Sequence, residues 1–183
     1  MHAKPDLRVF LKWMIARSGS VITDVISLKN LHTKRNAMTK ISQKDMFHGA
    51  VLAQITSHES FTALNSVGDG KQGHYLINNN IRLLTKLTKD KSAPWNFNFS
   101  ATDTETIRED IEQGFETFAA LVCADATICL LNVEQMNQSI DLDLKKQQGV
   151  RVDIPGASMR VRGKLGEIKG KIKHIAFPNK LFE

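Results

Sequence analysis

The chain has 183 residues, 42% of them hydrophobic and 24% charged, with only two cysteines. A chain of this length and composition can bury a core without disulfide or metal staples, which excludes a disordered tail, a collagen-like chain and a cysteine-framework miniprotein. The net charge of +6 is unevenly spread. Residues 1–99 hold 14 basic and six acidic side chains, residues 100–143 one and ten, and residues 144–183 ten and three. Basic blocks at both ends suit a polyanion such as DNA or RNA. The acidic middle suits a basic surface, either within the chain or on a second copy.

No apolar run approaches the ~20 residues of a membrane span. The N-terminus lacks the uninterrupted apolar stretch and small-residue cleavage site of a signal peptide. The expectation is a cytoplasmic protein with no membrane contact. Cys123 and Cys129 each lie inside an apolar run and are read as buried free thiols.

Residues 6–17 read as an amphipathic helix, with Leu7, Phe10, Leu11, Met14 and Ile15 on one face. Residues 21–31 fit helix or strand, and residues 30–44 read as a basic loop. Ser42 and Asp45 have the spacing of a helix start, and Phe47, Val51 and Ile55 continue it. A strand is expected over 61–67, a flexible turn over 68–73 and a return strand from His74 to Asn78. Asn78, Asn79 and Asn80 predict a turn, since Asn tolerates left-handed backbone angles. Residues 81–88 alternate as a strand with Arg82 and Lys86 on one face. Trp95, Phe97 and Phe99 alternate with Asn96 and Asn98, a strand whose aromatic stripe reads as core.

Thr102-Asp103-Thr104-Glu105 reads as a capping box for a helix to about Gln113. Two buried strands follow, Phe118 to Ala124 and Thr127 to Leu131. Asn132 to Gln135 then starts a short helix. In the last forty residues, Val150, Val152 and Ile154 alternate with polar residues, as do Met159 and Val161, and then Ile168 and Ile172. Two or three short strands with basic side chains along an outer face are expected here. The predicted architecture is one α+β domain over 1–183. Its core, 1–143, is a mainly antiparallel or mixed central sheet flanked by helices, and a small basic β region, 144–183, closes the chain.

The chemistry-bearing patterns are sparse. The six histidines, at 2, 32, 48, 58, 74 and 174, include no helical i, i+4 metal pair. The glycines of 68–73 lie between strands, whereas a nucleotide loop opens a helix. No Gly-x-Ser-x-Gly turn occurs. The leading reading carries no cofactor and no metal, and is of a non-enzymatic or catalytically degenerate protein. The stronger lead is a phosphate-contacting surface built from Arg151, Arg160, Arg162, Lys169, Lys171 and Lys173, with Arg82 and Lys86 extending it.

The order helix, three strands, helix, strand across residues 44–124 resembles the core of the restriction-endonuclease-like nuclease fold. In that family an Asp on one strand and a Glu-x-Lys on the next bind a divalent metal, and the Lys helps position the attacking water or the phosphate. The resemblance implies Lys86 in the lysine place. It puts Leu84 where the acid belongs and Asn78 or Asn79 near the Asp place. The implied metal site is therefore degenerate. A second trio, Asp153, Glu167 and Lys169, offers the same residue types later in the chain. With eight Glu and 17 Lys present, one Glu-x-Lys is unremarkable.

Three functions follow as expectations. The first is a non-enzymatic or catalytically degenerate nucleic-acid-binding protein. The second is a homo-oligomeric protein-interaction module. The third is a metal-dependent nuclease using Asp153, Glu167 and Lys169.

Overall fold

The computed structural model describes residues 40–67 and 73–183. The helix expected over 6–17, the ambiguous 21–31, residues 30–39 of the basic loop and residues 68–72 of the turn lie outside the described residues. The chain parts into two units, Met1–Lys40 and Ile41–Glu183, and the architecture below is that of the second.

That unit is α+β. Helix α1 (Gln43–Thr56) leads into β1 (Leu64–Ser66), β2 (His74–Ile77), β3 (Ile81–Leu87) and β4 (Trp95–Phe99). Helix α2 (Ala101–Glu112), β5 (Glu116–Cys123), β6 (Thr127–Asn132) and α3 (Val133–Ser139) follow. Strands β7 (Gln148–Asp153) and β8 (Arg160–Gly163) precede a short helical turn, α4 (Ala176–Asn179). A five-stranded mixed sheet runs β1-β2-β3-β5-β6, with β3 and β5 parallel and every other pair antiparallel. A second sheet, β4-β7-β8, is antiparallel throughout. Among the described residues no helix is long and apolar enough to cross a membrane.

Helix starts follow local chemistry. Ser42 caps α1, and Asp45 returns the bond by accepting the Ser42 N–H at 2.8 Å. Asn132 and Gln135 form the same reciprocal box on α3. At α2 the box lies two residues earlier than the sequence pattern suggests. Ser100 is the cap and Asp103 its partner, because β4 ends at Phe99 and hands its next residue to the cap. The Asn turn between β2 and β3 holds Asn78 and Asn79 at φ +48° and +64°. Asn78 Oδ1 accepts from the Thr62 and Ala63 N–H groups, and Asn78 Nδ2 donates to the Ser60 carbonyl. Those two N–H groups are thereby withdrawn from any ladder, so the strand expected over 61–67 shortens to Leu64–Ser66.

The core lies on both faces of the five-stranded sheet. One face packs Ile77, Ile81, Leu83, Phe118, Val122 and Leu130 against Val51 and Ile55 of α1, with Phe177 and Leu181 joining from the C-terminus. The other packs Leu84, Ala119, Leu121, Cys129 and Leu131 under the second sheet and helices α2 and α3. Trp95, Phe97 and Phe99 all point into this second core, as the aromatic stripe predicts. Strand β5 is flanked by β3 and β6 and buried on both faces, which explains its nearly unbroken apolar run. Both cysteines are free and buried, and burial pushes the Cys123 thiol up to about 12.

The basic residues beyond β8 do not form the last expected strand. Only two isolated bridges join them to β8 and its approach, Arg162 with Glu167 and Met159 with Ile172. Gly166 and Gly170 take φ +146° and +92°, which breaks the extended backbone twice. Gly163 at the end of β8 passes directly over the Ser139 carbonyl at the end of α3, where any Cβ would overlap backbone.

Candidate nucleic-acid interface

The outer face of the small sheet is polar across all three strands. Because Trp95, Phe97 and Phe99 turn inward, Asn96 and Asn98 must turn outward. Register then sets the neighbours. Asn96 lies opposite Arg151, Arg151 opposite Arg162, and Asp153 opposite Arg160. Strands sit about 4.8 Å apart, so Asn96, Arg151 and Arg162 form a row about 10 Å long. Arg151 Nε is 3.0 Å from Asp153 Oδ2. Glu167 meets both remaining arginines, at 3.1 Å from Arg160 Nε and 2.8 Å from Arg162 Nη2. All three arginine side chains are more than half exposed. Each keeps further N–H donors that the carboxylates do not reach.

The row opens into a cleft. Asn96 and Asn98 also line a recess of about 710 Å³ beside the end of β3, together with Lys44, Lys86, Lys89 and Phe47. Lys44 comes from the first turn of α1 and Lys89 from the loop after β3. Two carboxylates line it as well. Asp103 Oδ2 accepts from Lys86 Nζ at 2.7 Å and from the Ser100 N–H and hydroxyl at 2.7 and 2.8 Å. Burial pushes the Asp103 carboxyl up, but the Lys86 and Ser100 hydrogen bonds outweigh it and hold it below the usual range. Asp90 accepts from the Asn96 N–H and side-chain amide at 2.7 and 3.0 Å, which likewise holds its carboxyl low. His48 sits at the wall, 3.2 Å from the Tyr75 hydroxyl. Burial first, and then the nearby Lys44 charge, lower the His48 pKa, so its imidazole is neutral at pH 7. Gly73 packs against the same ring at φ +103°, where a Cβ would meet His48 Cε1.

The residues expected to form one basic surface divide into five groups. Arg151, Arg160 and Arg162 share the outer face of β7 and β8. Lys86 reaches the cleft, held by Asp103. Lys169 is exposed beside α3, where its N–H donates to Gln138 Oε1. Lys171 and Lys173 line a separate groove of about 340 Å³ with Lys180. Arg82 is not a surface cation. Its side chain is 12% exposed, lies 3.4 Å from Asp110 Oδ1 and stacks on Phe115 with its guanidinium carbon 4.1 Å from the ring centroid. Asp110 also accepts from His74 Nε2 at 2.7 Å.

The burial of Arg82 and the holding of Lys86 have one cause. On β3, Arg82, Leu84 and Lys86 recur every second residue and face α2. On α2, Asp103, Ile107 and Asp110 recur at helical spacing and face β3. Charge, apolar, charge meets charge, apolar, charge. Two acids of the negative block 100–143 are thus neutralised within the chain.

The metal implied by the nuclease resemblance does not fit these residues. Leu84 is packed in the core, where an acid would be needed. The Asn78 oxygen is occupied by the Thr62 and Ala63 donors. Asp153 and Glu167 are each ion-paired to arginine. Among the described residues no group of three or more His, Cys, Asp or Glu is placed to hold a metal ion.

Sequence reasoning missed Lys44, Lys89, Asn96 and Asn98. Asn at both outward positions of a clean alternating strand was the available signal. Scans of family models, curated proteins and solved structures match nothing to this chain.

Proposed function

We propose that this protein binds nucleic acid without cutting it, holding phosphates across the outer face of β4, β7 and β8. The observation that carries this reading is the in-register row of Asn96, Arg151 and Arg162, which continues into a lysine-lined cleft. Arginine forks suit phosphate oxygens, while the Asn96 amide, which donates to Asp90 Oδ2 and the Pro94 carbonyl, links the row to the cleft. The carboxylates of Asp153 and Glu167 hold the guanidinium groups in place, while three cations against two anions leave the face positive. The resemblance to the restriction-endonuclease-like core supports the same partner class. The element order is α1, β1, β2, β3, β4, α2, β5, one strand more between the helices than the expected helix, three strands, helix, strand. The missing acids remove its metal chemistry and leave a scaffold for binding.

The test is fluorescence-anisotropy binding to labelled single- and double-stranded oligonucleotides across a salt series. Expected are micromolar or tighter binding at low salt and a steep salt slope. Replacing Arg151, Arg160 and Arg162 by Glu should weaken binding at least tenfold and flatten the slope by roughly three phosphates. Replacing Lys171 and Lys173 should change it little. Flat wild-type curves at low salt would overturn the reading and favour the homo-oligomeric module.

A further inference from the structure

The cleft beside β3 differs in kind from the open face it adjoins. It is a recess of about 710 Å³, within the ~300–1,000 Å³ typical of small-ligand sites. Phe47 and Leu87 give it an apolar wall. Lys44 and Lys89 are exposed and form no ion pair among the described residues. Lys86 adds a third cation whose position Asp103 fixes. The two carboxylates present, Asp90 and Asp103, already accept two and three hydrogen bonds. Asn98 is exposed and makes no hydrogen bond among the described side-chain contacts, which leaves its amide a free donor and acceptor. Together these are the parts a nucleotide needs: cations for the phosphate, an apolar wall for sugar and base, and an amide for a base edge.

We propose that this cleft is a pocket for one nucleoside monophosphate unit, with the phosphate taken by Lys44 and Lys89 beside Lys86 and the nucleoside lying against Phe47 and Leu87. The inference deepens the nucleic-acid reading and rests on it for the source of that unit, which is a phosphorylated strand end. A free mononucleotide offers the same chemistry, so the two sources must be separated by experiment.

The full chain is titrated with adenosine monophosphate, adenosine and inorganic phosphate, following the ring signals of His48 by NMR. Its buried imidazole lies on the cleft wall one helical turn from Lys44 and reports occupancy independently of any activity. Adenosine monophosphate should shift the His48 signals at least tenfold more tightly than adenosine or phosphate alone. The Lys44→Ala, Lys89→Ala double variant should lose that advantage. Both lysines are exposed, so the variant keeps its fold. In parallel, oligonucleotides with 5′-phosphate, 3′-phosphate or hydroxyl ends are compared. One phosphorylated end should bind at least threefold tighter than hydroxyl, and the double variant should abolish the difference. Salt-dependent oligonucleotide binding with no end preference and no mononucleotide shift overturns the pocket while leaving the nucleic-acid reading intact. Mononucleotide binding without oligonucleotide binding supports the pocket, assigns it to a free nucleotide and overturns the nucleic-acid reading.

Discussion

Two clusters in this protein use the same chemistry to opposite ends. In the first, Arg82 and His74 meet Asp110 between β3 and α2, with side chains 7 to 12% exposed. In the second, Arg151, Arg160 and Arg162 meet Asp153 and Glu167 on the open face of the small sheet, with side chains 38 to 66% exposed. The distances are similar and the dielectric surroundings are not. A buried charge that loses its partner keeps the full cost of desolvation, whereas an exposed one turns to water. The first cluster therefore locks β3 to α2, and the second is free to trade its contacts for a ligand.

The most severe way to break that contrast is Asp110→Asn. It leaves Arg82 charged and buried and weakens the His74 hydrogen bond. A loss of about 3–5 kcal/mol is expected, read from urea denaturation. Replacing Arg82 and Asp110 together by Met and Leu should recover most of it, since no lone charge remains. If Asp110→Asn costs no more than a surface substitution, the buried cluster is not what holds α2 to the sheet.

The Lys86–Asp103 pair lies between the two extremes at 20% and 19% exposure. Lys86→Met should cost about 1–3 kcal/mol, because Asp103 keeps its Ser100 donors. The pair also sets a pH dependence. The Asp103 pKa is lower in the folded chain than in the unfolded one, so its contribution is fully present above the unfolded value. It is lost as pH falls through the folded value. Below about pH 4 the wild type should lose stability more steeply than Lys86→Met, and thermal melts between pH 2 and 6 read the difference.

Much of this fold was legible in the sequence, because its signals are local. The Ser42 and Asn132 boxes, the Asn78 turn and the alternation of Trp95, Phe97 and Phe99 each depend on neighbours within a few residues. The errors share a different origin. Arg82 and Lys86 looked like surface cations because a strand pattern shows which residues share a face and not what covers it. Here α2 covers them, and its matching Asp103, Ile107 and Asp110 lie some twenty residues away. The matched spacing was present in both segments and became meaningful only once the parallel pairing of β3 with β5 brought α2 across the sheet. Lys171 and Lys173 were aligned with the arginines because Ile168 and Ile172 suggested a continuing strand, which Gly166 and Gly170 interrupt. Lys44 and Lys89 sat in segments read as loop or helix start, and only the three-dimensional fold brings them to one cleft.

The open face should respond in the opposite sense to the buried one. Exchanging Arg151, Arg160 and Arg162 for Gln should cost no more than about 0.5 kcal/mol each, because exposed ion pairs contribute little. The same variant should lose at least tenfold in oligonucleotide affinity at low salt, and little at high salt where phosphate contacts are already screened. Equal losses in stability and binding would mean that the arginines hold the sheet together and do not present themselves to a partner.

The smallest change is also the most discriminating. Glu167 touches both Arg160 and Arg162, so its removal frees two guanidinium groups and deletes one negative charge. If the face contacts phosphates, Glu167→Gln should leave stability within about 0.5 kcal/mol and tighten binding by a few fold at low salt. A metal-dependent nuclease built on Asp153, Glu167 and Lys169 makes the contrary demand. There the carboxylate holds the ion, and Glu167→Gln should abolish magnesium- or manganese-dependent cleavage. Binding and cleavage measured on the same variant therefore give opposite answers for the two mechanisms. The arginine pairs of Asp153 and Glu167 favour the first, since a carboxylate committed to two guanidinium groups is a poor ligand for a cation.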